Sequence, residues 1–326
     1  MTSANRPTWK ELQRELRKLG DVTLTGFLNA TEFTIEDLYR NRGGWTALRR
    51  AAGLAPAASD PARDAQLGRA FGRMLHIDDT ERLSFMHAFS ESMVRPPETV
   101  REHRMQAMLD TALWGGTESH ADAAIRLNRI EKDRRAELGQ LAEVLRSRAR
   151  TTASPLHADV PLCVHARYSK NEVLAAFGVD KPAHMREGVK YVAQHRADVF
   201  FVTIDKAEKD YTESTRYSDY AITQERFHWE SQSGLRATAP TAERYIKGLS
   251  TVHLMIRRSK HDEGWGTPPY TYAGPMRYIS HKGERPIGVV WRLDHALPSE
   301  VFQYAKAAPD EALQAAQGDV PFAAES

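Results

Sequence analysis

The chain is poor in cysteine, in long apolar runs and in net charge, and each shortage excludes something. Cys163 is the single cysteine among 326 residues. One thiol can neither close an intrachain disulfide nor build a multi-cysteine zinc site, and it fits a reducing compartment such as the cytoplasm. No apolar run reaches membrane-spanning length, and the charged, helically spaced start of the chain is unlike a signal peptide. Forty-five Lys and Arg against 43 Asp and Glu leave a formal charge of +2. Any surface for a polyanion must therefore be local.

Motifs are also missing. No G-x-x-x-x-G-K-[ST] loop occurs, so phosphate-cradling NTP chemistry has no support. No G-x-S-x-G elbow stands out, and His281-Lys282 does not match H-x-K-x-x-x-x-D. Cys163, with only His165 nearby, reads as a small strand residue. His76, His87, His103 and His120 lack the Glu-flanked i,i+4 spacing of a helical metal pair and read as structural or surface groups. No cofactor is expected.

What is present is an ordinary globular composition, 41% apolar and 27% charged, on a chain long enough for two domains. Residues 1–152 read as helical. Thr8 precedes a run with Leu12, Leu16 and Leu19 at helical spacing, and Gly20 ends it. Short pieces follow up to Leu54, then a Pro/Ala/Ser connector. Longer patterns lie at 62–75, 79–92, 99–114 and 121–150. The last mixes charges around Glu131, Arg134 and Glu137, which suggests a solvated helix.

The period changes at Thr151–Pro155, the expected boundary of a β-rich domain at 153–310; residues 311–326 read as a tail. A short extended run covers 161–168. Ser169 with Glu172 forms a capping box for a helix over 170–177. Short strands are expected at 199–204, 219–223, 227–232, 252–257, 270–273, 277–280 and 286–293, with a small helix at 242–248. Without regular strand–helix alternation, the fold class is α+β: a helical domain, then a mixed, strongly curved or closed β-barrel-like domain.

One stretch there combines aromatic and polar groups: Tyr217, Asp219, Tyr220, Phe227, His228, Trp229, Ser231 and Gln232. Strand alternation sends Phe227, Trp229 and Ser231 to one face and His228, Glu230 and Gln232 to the other. A sheet core needs only one apolar face. The other carries donors and acceptors at two-residue spacing, suited to the edge of a flat polar ligand. Arg167, Lys170, Arg236, Arg257, Arg258, Lys260, Lys282 and Arg285, among other scattered basic residues, offer phosphate contacts. A rival cluster of Asp198, Asp205, Lys206 and Glu208 mimics a magnesium-dependent nuclease or hydrolase.

Ordered segments carry a family resemblance: His165-Ala166-Arg167-Tyr168, Leu174-Ala175-Ala176-Phe177-Gly178, Arg186-Glu187-Gly188-Val189, Phe200 to Lys206, Tyr217 to Ile222, Phe227 to Ser233, and His281 to Pro286. Together they resemble the uncharacterised C-terminal domain of bacterial DEAD/DEAH-type helicase proteins. Some of those proteins also carry a phospholipase-D-like nuclease and act as modification-dependent type IV restriction enzymes on DNA containing 5-methylcytosine. Residues about 40–150 resemble the helical segment that couples the motor to that domain. The resemblance implies a specificity element with a barrel like that of base-flipping methylcytosine readers. Motor and nuclease motifs are absent here, and Glu230 stands where an amide is expected.

The expectation is a non-catalytic, DNA-binding specificity module that recognises a modified base, flipped from double-stranded DNA, in a restriction or antiviral-defence setting. A flipped base needs an aromatic wall and edge-reading polar groups. Tyr217, Tyr220, Phe227 and Trp229 are candidates for the wall; Asp219, His228, Ser231 and Gln232 for the edge; His165, Arg167 and Tyr168 for completing the pocket. Expected partners are modified DNA and a helicase or nuclease subunit, without a membrane. The alternative to catalysis and base reading is a protein-interaction domain docking onto a separate helicase.

Overall fold

A computed structural model describes residues 6–40, 42–92, 95–149, 158–205, 219–231, 234–261 and 266–306. The chain divides into two compact units. The first is Met1–Arg186 with Glu263–Pro269; the second is Glu187–Asp262 with Tyr270–Ser326. The composition change at 151–155 lies outside the described residues, and residues 158–186, expected in the β-rich domain, belong to the first unit. The tail at 311–326 also lies outside the described residues.

The first unit is helical: α1 (Trp9–Leu19), α2 (Leu24–Ala30), α3 (Ile35–Tyr39), α4 (Gly44–Ala52), α5 (Pro61–Arg73), α6 (Thr80–Glu91), α7 (Val100–Trp114), α8 (Ala123–Asn128) and α9 (Lys132–Arg148). Helix α1 has the ends its sequence predicts, with a Thr8–Glu11 capping box and Gly20 at the C-cap. The long helix expected over 121–150 is instead broken, with a turn between Asn128 and Lys132. No Pro or Gly marks that break. Buried Leu127 and Ile130 anchor the two sides of the turn in one core, which also holds Leu12, Phe27, Trp45, Phe71 and Leu138.

Two of the mixed charges of α9 are not solvated, while Lys132, Arg146 and Arg148 are exposed as expected. Arg134 and Glu137 are each 1% exposed. Arg134 donates to Asp64 Oδ1 and Oδ2 (2.6 and 2.7 Å), to Glu137 (2.7 Å) and to the Gly43 carbonyl (2.8 Å). Glu137 Oε1 accepts from Tyr39 Oη and from the Trp45 amide. Burying these charges is tolerable because every ion has an opposite partner. Gly68 belongs to the same construction: a Cβ there would lie 2.5 Å from the Gly43 carbonyl oxygen, so only glycine lets α5 come this close.

The first unit also contains strand β1 (Arg167–Tyr168), helix α10 (Lys170–Ala176) and short 3-10 turns at His120–Asp122 and Pro182–His184. The extended run expected over 161–168 is thus reduced to two strand residues. The Ser169–Glu172 capping box is present.

The second unit is a mixed sheet packed on two helices. Its strands are β2 (Val189–Val192), β3 (Ala197–Asp205), β4 (Tyr220–Thr223), β5 (Arg226–Glu230), β6 (Thr251–Ser259), β7 (Tyr270–Lys282) and β8 (Gly288–Leu293); its helices are α11 (Pro240–Ile246) and α12 (Ser299–Ala305). They run in the order β2-β3-β6-β7-β8-β5-β4. Only β3 and β6 pair in parallel; the other neighbours in this order are antiparallel. The two strands expected at 270–273 and 277–280 are one. Gly274-Pro275 interrupts the ladder without ending it, because a register shift between Leu254 and Met255 on β6 falls at that point.

Of the expected strongly curved or closed β-barrel-like domain, the closed form is not present: β2 and β4 end the order of the mixed sheet. A barrel fills its interior with side chains of its own strands. Here helices cover one face instead, with Ala242 and Tyr245 of α11 and Val301 and Ala305 of α12 packed among Phe200, Trp229, Leu254 and Trp291.

Candidate nucleic-acid interface

The second unit separates the aromatic–polar stretch into two faces. Phe227 is fully buried and Trp229 is 7% exposed. Both belong to the helix-covered core, where the Trp229 ring lies 4.4 Å from that of Phe200. Ser231 is fully buried, and its hydroxyl accepts the Ile287 amide at 3.0 Å while its own amide donates to the Ile287 carbonyl. The three residues expected on one face are indeed together, but as packing. Tyr217 and Gln232 lie outside the described residues.

The opposite face is polar. Tyr220 is the register partner of His228, and their rings stack at 4.7 Å with an interplanar angle of 14°. Both are half-buried, as is Glu230. Asp219 Oδ1 accepts the Glu230 amide at 3.0 Å, which ties the start of β4 to the end of β5. Glycine at position 288 makes room for the pair: a Cβ there would meet His228 Nε2 at 2.8 Å.

Strand pairing turns this face into a grid across β5, β8 and β7. One row is Arg226, Arg292 and Arg277; the next is His228, Val290 and Ser280; the third is Glu230, Gly288 and Lys282. All three arginines are exposed. Their neighbours along the strands, Phe227, Trp291 and Met276, point into the core. Arg277 donates to Asp294 through Nε and Nη2 (2.8 and 3.3 Å). Arg226 begins β5 directly after the short link from β4, and Arg277 and Arg292 stand among the scattered basic residues of the sequence. Their alignment depends on pairing between strands far apart in the chain, which no local spacing reports.

Of the basic residues expected to offer phosphate contacts, Arg277, Lys282 and Arg292 fall on this grid. Arg257 lies over the Tyr270 ring at 4.3 Å and donates to Thr203 Oγ1. Arg258 pairs with Asp205 at 3.0 Å. Lys260 and Arg285 are exposed, at the end of β6 and in the β7–β8 connection. Arg236 is exposed on the segment leading into α11.

His165, Arg167, Tyr168 and Lys170 belong to the first unit. Tyr168 is fully buried; its hydroxyl donates to Asp79 and accepts the Cys163 amide. Burial, with Asp79 beside it, raises its ionisation well above the usual range for tyrosine, so it acts as a neutral structural donor. Arg167 pairs with Asp78 at 2.9 Å. His165 takes the left-handed backbone conformation, φ 68°, uncommon for a residue with a side chain. Burial pushes the Cys163 thiol up to about 12, aided by Asp79 and Glu81. That leaves almost no thiolate near neutrality.

Glu172 is a fully buried carboxylate that receives Arg82 and His76. Burial alone would raise its pKa, but Arg82, His76 and the Ser169 amide reverse that and keep it well below the ordinary range. Within the rival acidic cluster, Asp198 is fully buried and receives Arg244 through Nε and Nη2 (2.8 Å each) and Ser250 Oγ. Asp205 is paired with Arg258; Lys206 and Glu208 lie outside the described residues. Among the described residues, no group of three or more His, Cys, Asp or Glu is placed to hold a metal ion, and no helix is long and apolar enough to cross a membrane.

No curated protein matches the chain. Its segment 162–305, from the end of the first unit through α12, matches a family model described as a domain of unknown function, DUF3427.

Proposed function

We propose that this chain is a non-catalytic DNA-binding module that reads a modified base, 5-methylcytosine, with the face formed by β4 and β5. The observation that carries the reading is the stacked Tyr220–His228 pair. It lies half-exposed on the polar face of a sheet whose other face is packed against helices. A planar pair of this kind supplies the stacking surface that a base requires. Asp219 and Glu230 beside it supply acceptors, which suit the exocyclic amino group of cytosine.

Trp229 and Phe227 then support the platform from beneath instead of walling a pocket. The preference for a methylated base, its flipped presentation and the setting of restriction alongside a helicase and nuclease rest on the resemblance to the C-terminal domain of restriction-type helicase proteins. Asp198 and Asp205 are engaged by arginines, which favours binding over hydrolysis. The test is binding of the purified chain to matched duplexes with and without 5-methylcytosine. Preference for the methylated duplex, lost in Tyr220→Ala, supports the proposal; equal binding of the two duplexes contradicts it.

A further inference from the structure

We infer that Arg69 and Arg73, one turn apart on the exposed side of α5, hold the phosphate backbone of a polynucleotide. The inference adds a contact on the first unit and rests on the DNA-binding reading for the identity of the polyanion.

Helix α5 buries Leu67, Gly68, Ala70, Phe71 and Gly72. Its helical period leaves Ala62, Ala65, Gln66, Arg69 and Arg73 exposed. The one acid of this helix, Asp64, is taken by Arg134 and Arg50. Among the described residues, neither Arg69 nor Arg73 makes a side-chain hydrogen bond or an ion pair. Like charges four residues apart on a helix oppose each other. Partial desolvation, and then the charge of Arg69, lower the pKa of Arg73. The macrodipole favours a cation at Arg73 in the last turn, but its effect has faded at Arg69. Nor can α5 roll to hide the pair. A Cβ on Gly68 would lie 2.5 Å from the Gly43 carbonyl oxygen, and one on Gly72 would lie 3.1 Å from that of Tyr39. These glycines, each just before an arginine, seat the helix against the segment 39–43. The fold thus holds two uncompensated guanidinium groups side by side on a rigid element.

The chemistry points to phosphate. Each arginine offers five N–H donors in a planar fork that matches phosphate oxygens in pairs. Four residues of helix place the two stems about 6 Å apart along the axis, so the forks reach one phosphate or two successive ones. Ala62, Ala65 and Gln66 continue the exposed stripe with small or neutral side chains. A rod-like polyanion can therefore lie along α5 without meeting an acid, and DNA presents its charges as such a line.

The experiment measures the salt dependence of binding to an unmodified duplex and, separately, the ratio of methylated to unmodified affinity. Arg69→Gln and Arg73→Gln are each expected to reduce the slope of log Kobs against log salt by about 0.9, with the affinity ratio unchanged. Lys18→Gln, which removes a charge already met by Glu15, is expected to leave the slope alone. The melting temperature of Arg69→Gln is expected not to fall, since the change relieves like-charge opposition. Unchanged slopes in both arginine variants, an equal loss in Lys18→Gln, or failure of the native chain to bind the unmodified duplex each overturn the contact. Stabilisation of the native chain by inorganic phosphate, absent in Arg69→Gln and with unchanged DNA slopes, would make this a free-phosphate site and overturn the polynucleotide assignment. A ratio of one, with the slope losses intact, contradicts methyl recognition and leaves the α5 contact standing.

Discussion

The Trp229 ring lies 4.4 Å from the Phe200 ring, tilted by 41°, inside the core that α11 and α12 cover. Tyr245 and Trp291 meet Phe200 edge-on in the same cluster. The most conspicuous aromatic residue of the reader-like stretch is therefore part of the platform. It packs β5 against Phe200 of β3 in the core, while His228 stands on the opposite face of β5.

Truncating Trp229 should accordingly read out as stability. Trp229→Ala is expected to cost about 3–5 kcal/mol, as other large-to-small core changes do. The methylated-to-unmodified preference of the remaining folded fraction should not change. Chemical denaturation together with binding to both duplexes checks this. Native-like stability with selective loss of methylated DNA would return Trp229 to the binding surface.

The alternation along β5 was legible from the sequence: Phe227, Trp229 and Ser231 do share one face, and His228 and Glu230 the other. Which face is packed was not, because a two-residue period says nothing about what covers either side. Helices α11 and α12 decide it, and they are short segments that lie outside the stretch itself. The same holds for the arginine row, whose members meet only through the β5–β8–β7 register. Where information is local, the sequence was sufficient: Thr8, Ser169 with Glu172, and Gly20 mark their helix ends unaided. The break before α9 and the continuity of β7 through Gly274-Pro275 required tertiary context, namely burial of Ile130 in one case and the β6 register shift in the other.

Gly288 offers a test of the stacked pair that leaves both rings in place. Gly288→Ala puts a methyl group 2.8 Å from His228 Nε2, so the imidazole must move off its stack on Tyr220. Affinity for methylated DNA is expected to fall about tenfold, in the range of one lost stacking contact. The melting temperature should change little, because His228 lies on the half-buried face of β5 and not in the core. Full affinity in this variant would show that His228 need not be stacked.

Glu172 is the buried partner of Arg82 in the first unit. Glu172→Gln leaves buried Arg82 without its carboxylate, and is expected to destabilise the chain at neutral pH by about 3–5 kcal/mol. The folded carboxyl titrates below its usual value of 4.5. Its contribution is therefore present above that pH and is lost as pH falls through the lower, folded value. Urea unfolding at pH 7 and pH 3 should show the native chain weakening with acid and the variant weakening less. Parallel losses in the two proteins would place the acid sensitivity elsewhere.

The central claim is that the β4–β5 face reads a modified base through Tyr220 and His228. The direct measurement is the affinity of the native chain and of Tyr220→Ala for one duplex, with and without 5-methylcytosine, at fixed salt. The native chain should prefer the methylated duplex. Tyr220→Ala should lose about 1–3 kcal/mol on that duplex, roughly tenfold to a hundredfold, and far less on the unmodified one, whose binding comes from phosphate contacts. Equal affinity of the native chain for the two duplexes, or equal losses on both in the variant, would contradict it.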